Sequence, residues 1–201
     1  FKDVGAKFMA NCLGYFNKDN DTTVLVATSG DTGAAVANGF LGVKGIKVII
    51  LYPSGKVSEI QEHQLTTNGK NIIALKVNGV FDDCQKIVKT AFTDKELNSK
   101  INLTSANSIN VARWLPQMFY YFIAYKELIK QKKDIIFSIP SGNFGNICAG
   151  LIAMKLGLPI KHFVASTNIN DTIPNYFKTK KYIAKASKQT ISNAMDVGDP
   201  S

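Results

Sequence analysis

The sequence is poor in cysteine and histidine and has no long apolar stretch. Its three cysteines are an odd number at wide spacing, which argues against a disulfide framework or a zinc site, and we expect Cys12, Cys84 and Cys148 to be buried core residues. We assign no chemistry and no metal to His63 and His162, which lie in a predicted helix and a predicted strand. No apolar run approaches the ~20 residues that cross a bilayer. With no signal-peptide pattern at the start, we predict a cytoplasmic protein without a membrane partner.

Acidic residues and arginine are also scarce. There are 15 acidic against 24 basic side chains, a formal net charge of +9. The lysines are spread along the chain without interleaved aromatic residues or a nucleic-acid-binding motif, so we predict a solvated basic face and no nucleic-acid partner. Arg113 is the only arginine. Because a guanidinium is a planar fork of donors, this exception indicates a geometric requirement, with an ordinary surface arginine as the alternative.

Short β-type runs alternate with segments of helical periodicity. We predict strands at residues 24–27, 47–51, 71–77, 135–139 and 162–165, and helices at residues 32–41, 58–67, 111–130, from residue 81, and up to residue 156. This alternation predicts an α/β fold with mostly parallel sheets flanked by helices. Ser58 and Gln61 can form a capping box, and Pro116 predicts a bent or restarted helix. We expect the aromatic stripe of that helix to pack in the core: Trp114, Met118, Tyr121, Phe122 and Tyr125.

Two glycine turns each follow a β-type run and precede a helical pattern. The first glycine turn is TSGDTG at residues 28–33, and the second glycine turn is SGNFG at residues 141–145. Glycine lets the backbone approach a ligand, and a helix start offers unpaired N–H donors, so each turn predicts a phosphate or other anion site. The spacing excludes a dinucleotide fingerprint and a P-loop. We expect both turns to face one pocket at the carboxyl ends of the strands. For the second glycine turn, a tight strand-to-helix connection without a ligand is the alternative.

Five segments together resemble the threonine synthases. They are FKD at residues 1–3, ATSGDTG at residues 27–33, SANSIN at residues 105–110 with Arg113, PSGNFGN at residues 140–146, and SNAMDVG at residues 192–198. Five motifs in order are far more specific than one. The resemblance implies a fold type II enzyme, tryptophan synthase β-like, that uses pyridoxal 5′-phosphate.

The resemblance also implies a domain organisation. We expect a smaller α/β subdomain at about residues 24–110, and we assign residues 1–23 and 111–201 to a larger cofactor-binding subdomain. The chain reads as an excerpt of a longer protein whose contact to the cofactor's pyridine nitrogen lies beyond residue 201. We therefore expect residues 1–201 alone to fold incompletely and to be inactive, and the whole protein to be a monomer or homodimer.

The resemblance implies that Lys2 holds the cofactor as a Schiff base and then acts as general base, whereas a plain surface lysine is the alternative. The second glycine turn would cradle the cofactor phosphate through Ser141, Gly142, Asn143, Phe144 and Gly145. The first glycine turn would bind the substrate's α-carboxylate through Thr28, Ser29, Asp31 and Thr32. Asp31 would also approach the cofactor, although capping of the following helix stays open for it.

Asn107, Ser108 and Arg113, together with Thr32, would hold the phosphate of O-phosphohomoserine. The implied reaction converts O-phospho-L-homoserine and water to L-threonine and phosphate, by γ-elimination followed by β-addition of water. A serine or threonine dehydratase is a related alternative, but its unphosphorylated substrate would leave Arg113 without a purpose. A non-catalytic module that binds pyridoxal phosphate or another anion is the second alternative.

Overall fold

The computed structural model describes residues 1–17, 21–108 and 110–200. The chain divides into two compact units, Phe1–Arg113 and Trp114–Ser201. The elements of the first unit, in chain order, are α1 (Lys2–Phe16), β1 (Thr22–Ala27), α2 (Asp31–Phe40), β2 (Ile46–Pro53), α3 (Glu59–Thr66), β3 (Ile72–Val77), α4 (Phe81–Thr93), α5 (Lys95–Lys100), β4 (Asn102–Ser105) and α6 (Val111–Trp114), whose last residue begins the second unit.

The four strands of the first unit form one parallel sheet in the order β3–β2–β1–β4. Helices cover both faces, because alternate residues of a strand point to opposite sides. Val24 and Val26 of β1 pack with α1, α2 and α3, and Leu25 and Ala27 pack with α4. From β1 the chain runs outward through β2 and β3 and then returns to β4 on the other side. The strand order therefore reverses between β1 and β4, the position where such sheets bind ligands.

The second unit carries a smaller parallel sheet. Its elements are a 3₁₀ turn (Leu115–Gln117), α7 (Met118–Leu128), a 3₁₀ turn (Ile129–Gln131), β5 (Ile136–Pro140), α8 (Gly145–Lys155), β6 (His162–Ser166), α9 (Thr172–Thr179) and a 3₁₀ turn (Asn193–Met195). Strands β5 and β6 pair in parallel. The core between this sheet and the helices α7 and α8 contains Tyr121, Ala149 and Ala153.

The predicted alternation and the mostly parallel sheets are confirmed. Ser58 and Gln61 form the capping box of α3, and the helix predicted at 111–130 breaks into a 3₁₀ turn at Pro116. Residues 103–110 form a polar stretch in which no strand was predicted, yet Leu103–Ser105 belong to β4. This strand lies at the sheet edge and is only partly buried, so it lacks the apolar run on which strand prediction depends.

Two core predictions need correction. Cys84 is buried and Cys12 is half-buried, but Cys148 is exposed. Helix α8 directs Ala149 and Ala153 toward the core, so Cys148, which precedes Ala149, lies on a different side of the helix. Within the aromatic stripe, Tyr121 is buried whereas Phe122 is exposed. Helix α1 packs on α2 within the first unit, and the assignment of residues 1–23 to a larger cofactor-binding subdomain stays a prediction.

Across the described parts of the chain, no helix combines the length and apolarity that a membrane span requires. The same residues contain no group of three or more histidine, cysteine, aspartate or glutamate side chains placed to hold a metal ion.

Candidate active site

Two predicted substrate-binding segments lie side by side at the carboxyl edge of the first sheet. Strands β1 and β4 pair in parallel, with Leu25 opposite Ser105. The first glycine turn begins directly after β1, and the SANSIN segment continues from the end of β4. Because the strand order reverses here, the two segments border the crevice in which this class of sheet binds ligands.

The side chain of Thr28 shapes the first glycine turn. Thr28 is buried, and its Oγ1 accepts hydrogen bonds from the backbone N–H groups of Gly30, at 2.9 Å, and Gly33, at 2.8 Å. Gly30 has a φ of 133°, a backbone angle that residues other than glycine rarely adopt. The N-cap residue of α2, Gly30, forms no side-chain cap, and Thr28 takes the first-turn N–H of Gly33, so an anion at this helix start would have to use other backbone donors. Contacts of Ser29 and Thr32 with a substrate carboxylate stay predictions.

Asp31 has a partner that the sequence did not indicate. Its Oδ1 accepts a hydrogen bond from Nε2 of Gln61 at 2.8 Å. Gln61 is itself held by the capping box of α3, where its Oε1 accepts from the backbone N–H of Ser58 at 3.1 Å. The alternative that Asp31 caps α2 is wrong, because the N-cap residue is Gly30 and no side-chain cap is formed. The Asp31 carboxylate is thus oriented from α3.

Asn107 ties the ends of β1 and β4 together. Its Nδ2 donates to the carbonyl oxygen of Ala27 at 2.7 Å, and its Oδ1 accepts from the N–H of Ala27 at 3.0 Å. The N–H of Asn107 in turn donates to Oγ of Ser105 at 3.1 Å. Both polar atoms of the amide are therefore engaged with backbone, so the side chain fixes the distance between the two strand ends. A direct contact of Asn107 with substrate phosphate stays a prediction.

Replacing Asn107 with alanine is expected to lower the free energy of unfolding by about 1–3 kcal/mol, because two backbone groups of the buried Ala27 lose their partner. Urea denaturation and hydrogen exchange of a peptide over residues 22–33 in the full-length protein measure this. Asn102→Ala is the matched control, since that amide donates to Thr22 at the opposite end of the same strand pair. It should leave exchange at residues 28–33 unchanged; equal exchange in both variants would contradict the assignment.

Arg113 is held by a one-turn helix next to the β4 end. Asn110 anchors this helix, because its Oδ1 accepts from the N–H of Ala112 at 3.0 Å and its Nδ2 donates to the carbonyl of Ser105 at 2.8 Å. Arg113 is only 4% exposed, so the surface-arginine alternative is wrong. Burial lowers the pKa of its guanidinium to about 10, and the carboxylate of Asp3 opposes this shift. The side chain is therefore still cationic at neutral pH.

Lys2 is the first residue of α1, and its side chain is half-buried. Burial lowers the pKa of the amine; Asp31 opposes the shift and Arg113 adds to it. The structure thus brings Asp31 and Arg113 within electrostatic reach of Lys2. Lys2 and Asp31 also line a cavity of about 640 Å³, which His63 borders. A desolvated amine favours a nucleophilic lysine over the surface alternative, and its catalytic role stays a prediction.

In the second unit, the second glycine turn connects β5 to α8. Ser141 is buried; its N–H donates to the carbonyl of Ser166 at 2.8 Å, and its Oγ donates to Oδ1 of Asn146 at 2.9 Å. Asn146 also donates through Nδ2 to the carbonyl of Pro140 at 2.8 Å. Phe144 has a left-handed φ of 60° directly before α8 begins at Gly145. Hydrogen bonds of the Asn146 side chain thus connect the start of the second glycine turn to the first turn of α8.

These residues fit pyridoxal phosphate. The N-cap residue of the 11-residue α8, Phe144, forms no side-chain cap, although Oδ1 of Asn146 accepts from the first-turn N–H of Ile147 at 2.9 Å. The second glycine turn contains no carboxylate, so a phosphate would meet other backbone donors at a helix start. Gly142 has no room for a side chain, because a Cβ there would lie 2.8 Å from Cα of Met195. The desolvated amine of Lys2 suits an aldehyde. The roles of Gly142, Asn143, Phe144 and Gly145, and the convergence of both turns on one pocket, stay predictions.

Sequence reasoning missed the residues that orient the site. Gln61 orients Asp31 from a distant helix, and Asp3 affects Arg113 electrostatically. Asn110 and Asn146 had a signal, since both lie within the quoted motifs next to a predicted helix start, where asparagine often caps or closes a turn.

The family model described as pyridoxal-phosphate dependent enzyme matches residues 1–201. The chain belongs to this family. Membership confirms pyridoxal 5′-phosphate as the cofactor and agrees with the donor set described above. The fold type II architecture predicted from the sequence is confirmed as well.

Members of the family that resemble this chain include threonine synthases. The chain is 56% identical over 203 residues to threonine synthase of Buchnera aphidicola subsp. Baizongia pistaciae, covering 100% of this chain and 47% of that protein. The crystal structure of threonine synthase from Escherichia coli has a TM-score of 0.93 and 49% identity, covering 100% of this chain and 47% of that one. A PLP-bound threonine synthase from Brucella melitensis has a TM-score of 0.88 and 38% identity, covering 100% and 44%. The predicted resemblance is confirmed, and the chain spans about half the length of the curated relatives it matches.

Proposed function

We propose that this chain is part of a threonine synthase, which converts O-phospho-L-homoserine and water to L-threonine and phosphate. The observation that carries the proposal is the buried Arg113 within electrostatic reach of the desolvated Lys2. A lysine alone suits many pyridoxal-phosphate reactions. A buried, cationic guanidinium within its electrostatic reach adds a binding group for an anionic part of the substrate, and the similarity to threonine synthases over the whole chain supports a phosphate as that part.

In the proposed reaction, the amine of Lys2 takes a proton from the α-carbon of the substrate. Its lowered pKa supports this role, because a larger fraction of the amine is neutral at a given pH than for an exposed lysine. Pyridoxal phosphate, when bound, supplies an electron sink for the resulting carbanion. The backbone donors of the second glycine turn would hold its phosphate, and Asp31 would lie close to the amine.

A second proton leaves the β-carbon, and the electron pair left there expels phosphate from the γ-carbon, while Arg113 binds that phosphate and stabilises its negative charge. Ser108, Asn107 and Thr32 complete the proposed phosphate site, with Asn107 also fixing the strand ends. Ser29 and the start of α2 would hold the α-carboxylate. A proton is then added at the γ-carbon, water adds at the β-carbon and a proton returns to the α-carbon, so that phosphate and threonine leave in equal amounts.

Product analysis of the full-length protein loaded with pyridoxal phosphate tests this function. We expect O-phosphohomoserine to give phosphate and threonine in a 1:1 ratio, the stoichiometry of the reaction. Release of ammonia from threonine should be slower by about 1,000-fold, since a site built around a phosphate discriminates against a substrate without one. Faster ammonia release would instead support a serine or threonine dehydratase. Cofactor binding without any product would support a non-catalytic module.

We also propose a cytoplasmic location and a monomeric or homodimeric whole protein. The few, widely spaced cysteines support the location. Cell fractionation tests the location, and sedimentation analysis of the full-length protein tests the oligomeric state.

A further inference from the structure

The SNAMDVG motif at residues 192–198 has no role in the proposed reaction. In the structure its 3₁₀ turn, Asn193–Met195, lies directly against the second glycine turn. A Cβ placed on Gly142 would be 2.8 Å from Cα and 3.2 Å from the carbonyl carbon of Met195. Backbone therefore packs on backbone, with no side chain between them, and a displacement of the 3₁₀ turn changes the support of the second glycine turn.

Asp196 anchors that 3₁₀ turn. Its Oδ1 accepts from Oγ1 of Thr190 at 2.7 Å and from Nδ2 of Asn168 at 2.8 Å, and its Oδ2 accepts from the N–H of Thr190 at 2.8 Å. Asn170 adds a longer contact to Oδ1 at 3.3 Å. A carboxylate with several donors in fixed positions is a strong local restraint, because hydrogen bonds to a charged group are about twice as strong as neutral ones.

Asn168 connects the anchor to β6. It lies two residues after the end of β6, and its Nδ2 also donates to Oγ of Ser192 at 3.1 Å. Beyond the anchor, the chain is fixed again at Gly198, whose carbonyl accepts from Oγ1 of Thr172 at 2.8 Å. A side chain at Gly198 would overlap the carbonyl oxygen of Lys185. The 3₁₀ turn is thus held between two fixed points.

We propose that Asp196 and Asn168 are positioning residues for the cofactor phosphate. They hold the 192–198 segment as a platform, which keeps the second glycine turn in the shape that presents its backbone donors. This inference rests on the proposed function, in which that turn cradles the phosphate. It assigns the fifth motif to the binding of the phosphate group and not to the substrate.

Equilibrium binding to the full-length protein tests the proposal, with pyridoxal phosphate and pyridoxal as the two probes. Only the first carries the phosphate. For Asp196→Asn we expect the Kd of pyridoxal phosphate to rise about tenfold, the effect of losing a hydrogen bond to a charged group, while the Kd of pyridoxal stays unchanged. The ³¹P resonance of bound pyridoxal phosphate should shift in the same variant. Asp199→Asn is the matched control. It removes the charge of a nearby carboxylate, which accepts a hydrogen bond from the hydroxyl of Tyr182.

Thr190→Val supplies a milder variant that carries the test if Asp196→Asn fails to fold. It removes the hydroxyl donor but keeps the backbone N–H that bonds to Asp196. Thr190→Ser, which retains the hydroxyl, should restore the affinity for pyridoxal phosphate. Unchanged affinity for both probes in the Asp196 and Thr190 variants, or an equal loss for both, overturns the positioning role. If the unaltered protein itself binds the two probes equally, the phosphate cradle of the proposed function fails, and the platform fails with it.

Discussion

Replacing Lys2 with alanine in the full-length protein is expected to abolish the visible absorbance of the lysine-bound cofactor and to lower kcat by about 1,000-fold or more. The expected size follows from the two tasks proposed for one amine, which holds the cofactor's aldehyde and then takes the α-proton. Burial lowers the pKa of this amine, so a larger fraction of it is neutral than for an exposed lysine, and both tasks require the neutral amine. Absorbance spectra and phosphate release from O-phosphohomoserine measure the two losses separately.

Lys7→Ala is the matched control for this experiment. Lys7 lies on the same helix, α1, but it is exposed. The control should keep both the absorbance and the turnover. Borohydride reduction of the loaded protein followed by peptide mapping should locate the adduct on Lys2. Full turnover in Lys2→Ala, or an adduct on another lysine, would refute the assignment and remove the central residue from the proposed mechanism.

The sequence predicted the parts of the fold that depend on local pattern. Val24–Ala27 is apolar and precedes a glycine turn, so both the strand and the turn could be recognised from neighbouring residues. The capping box of Ser58 and Gln61 spans three residues and was equally visible. Strand β4 was not, because an edge strand that is only partly buried needs no apolar run.

In the site, too, features that depend on neighbouring residues could be predicted, whereas contacts between residues far apart in the sequence could not. Glycine turns at helix starts are short, and the sequence placed both of them correctly relative to β1 and β5. The hydrogen bond from Gln61 to Asp31 joins residues 30 positions apart, and the tie from Asn107 to Ala27 joins residues 80 apart. No pattern within one segment reports such contacts. They appear only when the sheet order places β4 beside β1 and the packing brings α3 against α2.

The hydrogen bonds from Asn107 to Ala27 also change how a motif shared with a protein family is interpreted. The motif suggested three direct ligands of a phosphate in Asn107, Ser108 and Arg113. The structure shows that the amide of Asn107 is engaged with the backbone of Ala27, so one residue of a shared motif can serve the shape of the site. The same reasoning assigns Asp196 to the support of the second glycine turn. Among these residues, the buried guanidinium is the group best suited to bind substrate phosphate.

Arg113→Gln is expected to lower kcat/KM for O-phosphohomoserine by about 100-fold or more, since removal of a buried cation leaves the substrate phosphate without its charged partner. Arg113→Lys should recover only part of the loss. Lysine lacks the planar fork, and the burial that lowers the pKa of Arg113 to about 10 would also lower that of a lysine, whose ordinary value is nearer neutrality. Steady-state kinetics over a range of pH measure both effects.

Inorganic phosphate separates substrate binding from damage to the cofactor site. It should inhibit the unaltered protein competitively, and its inhibition constant should rise in Arg113→Gln by a factor similar to the rise in KM, because both ligands would use the same guanidinium. The absorbance of the bound cofactor should stay unchanged, since Arg113 is not proposed to touch the cofactor phosphate. A parallel loss of cofactor binding would place Arg113 in the cofactor site. Unchanged inhibition by phosphate would contradict a substrate-phosphate role and favour an alternative reaction on an unphosphorylated amino acid.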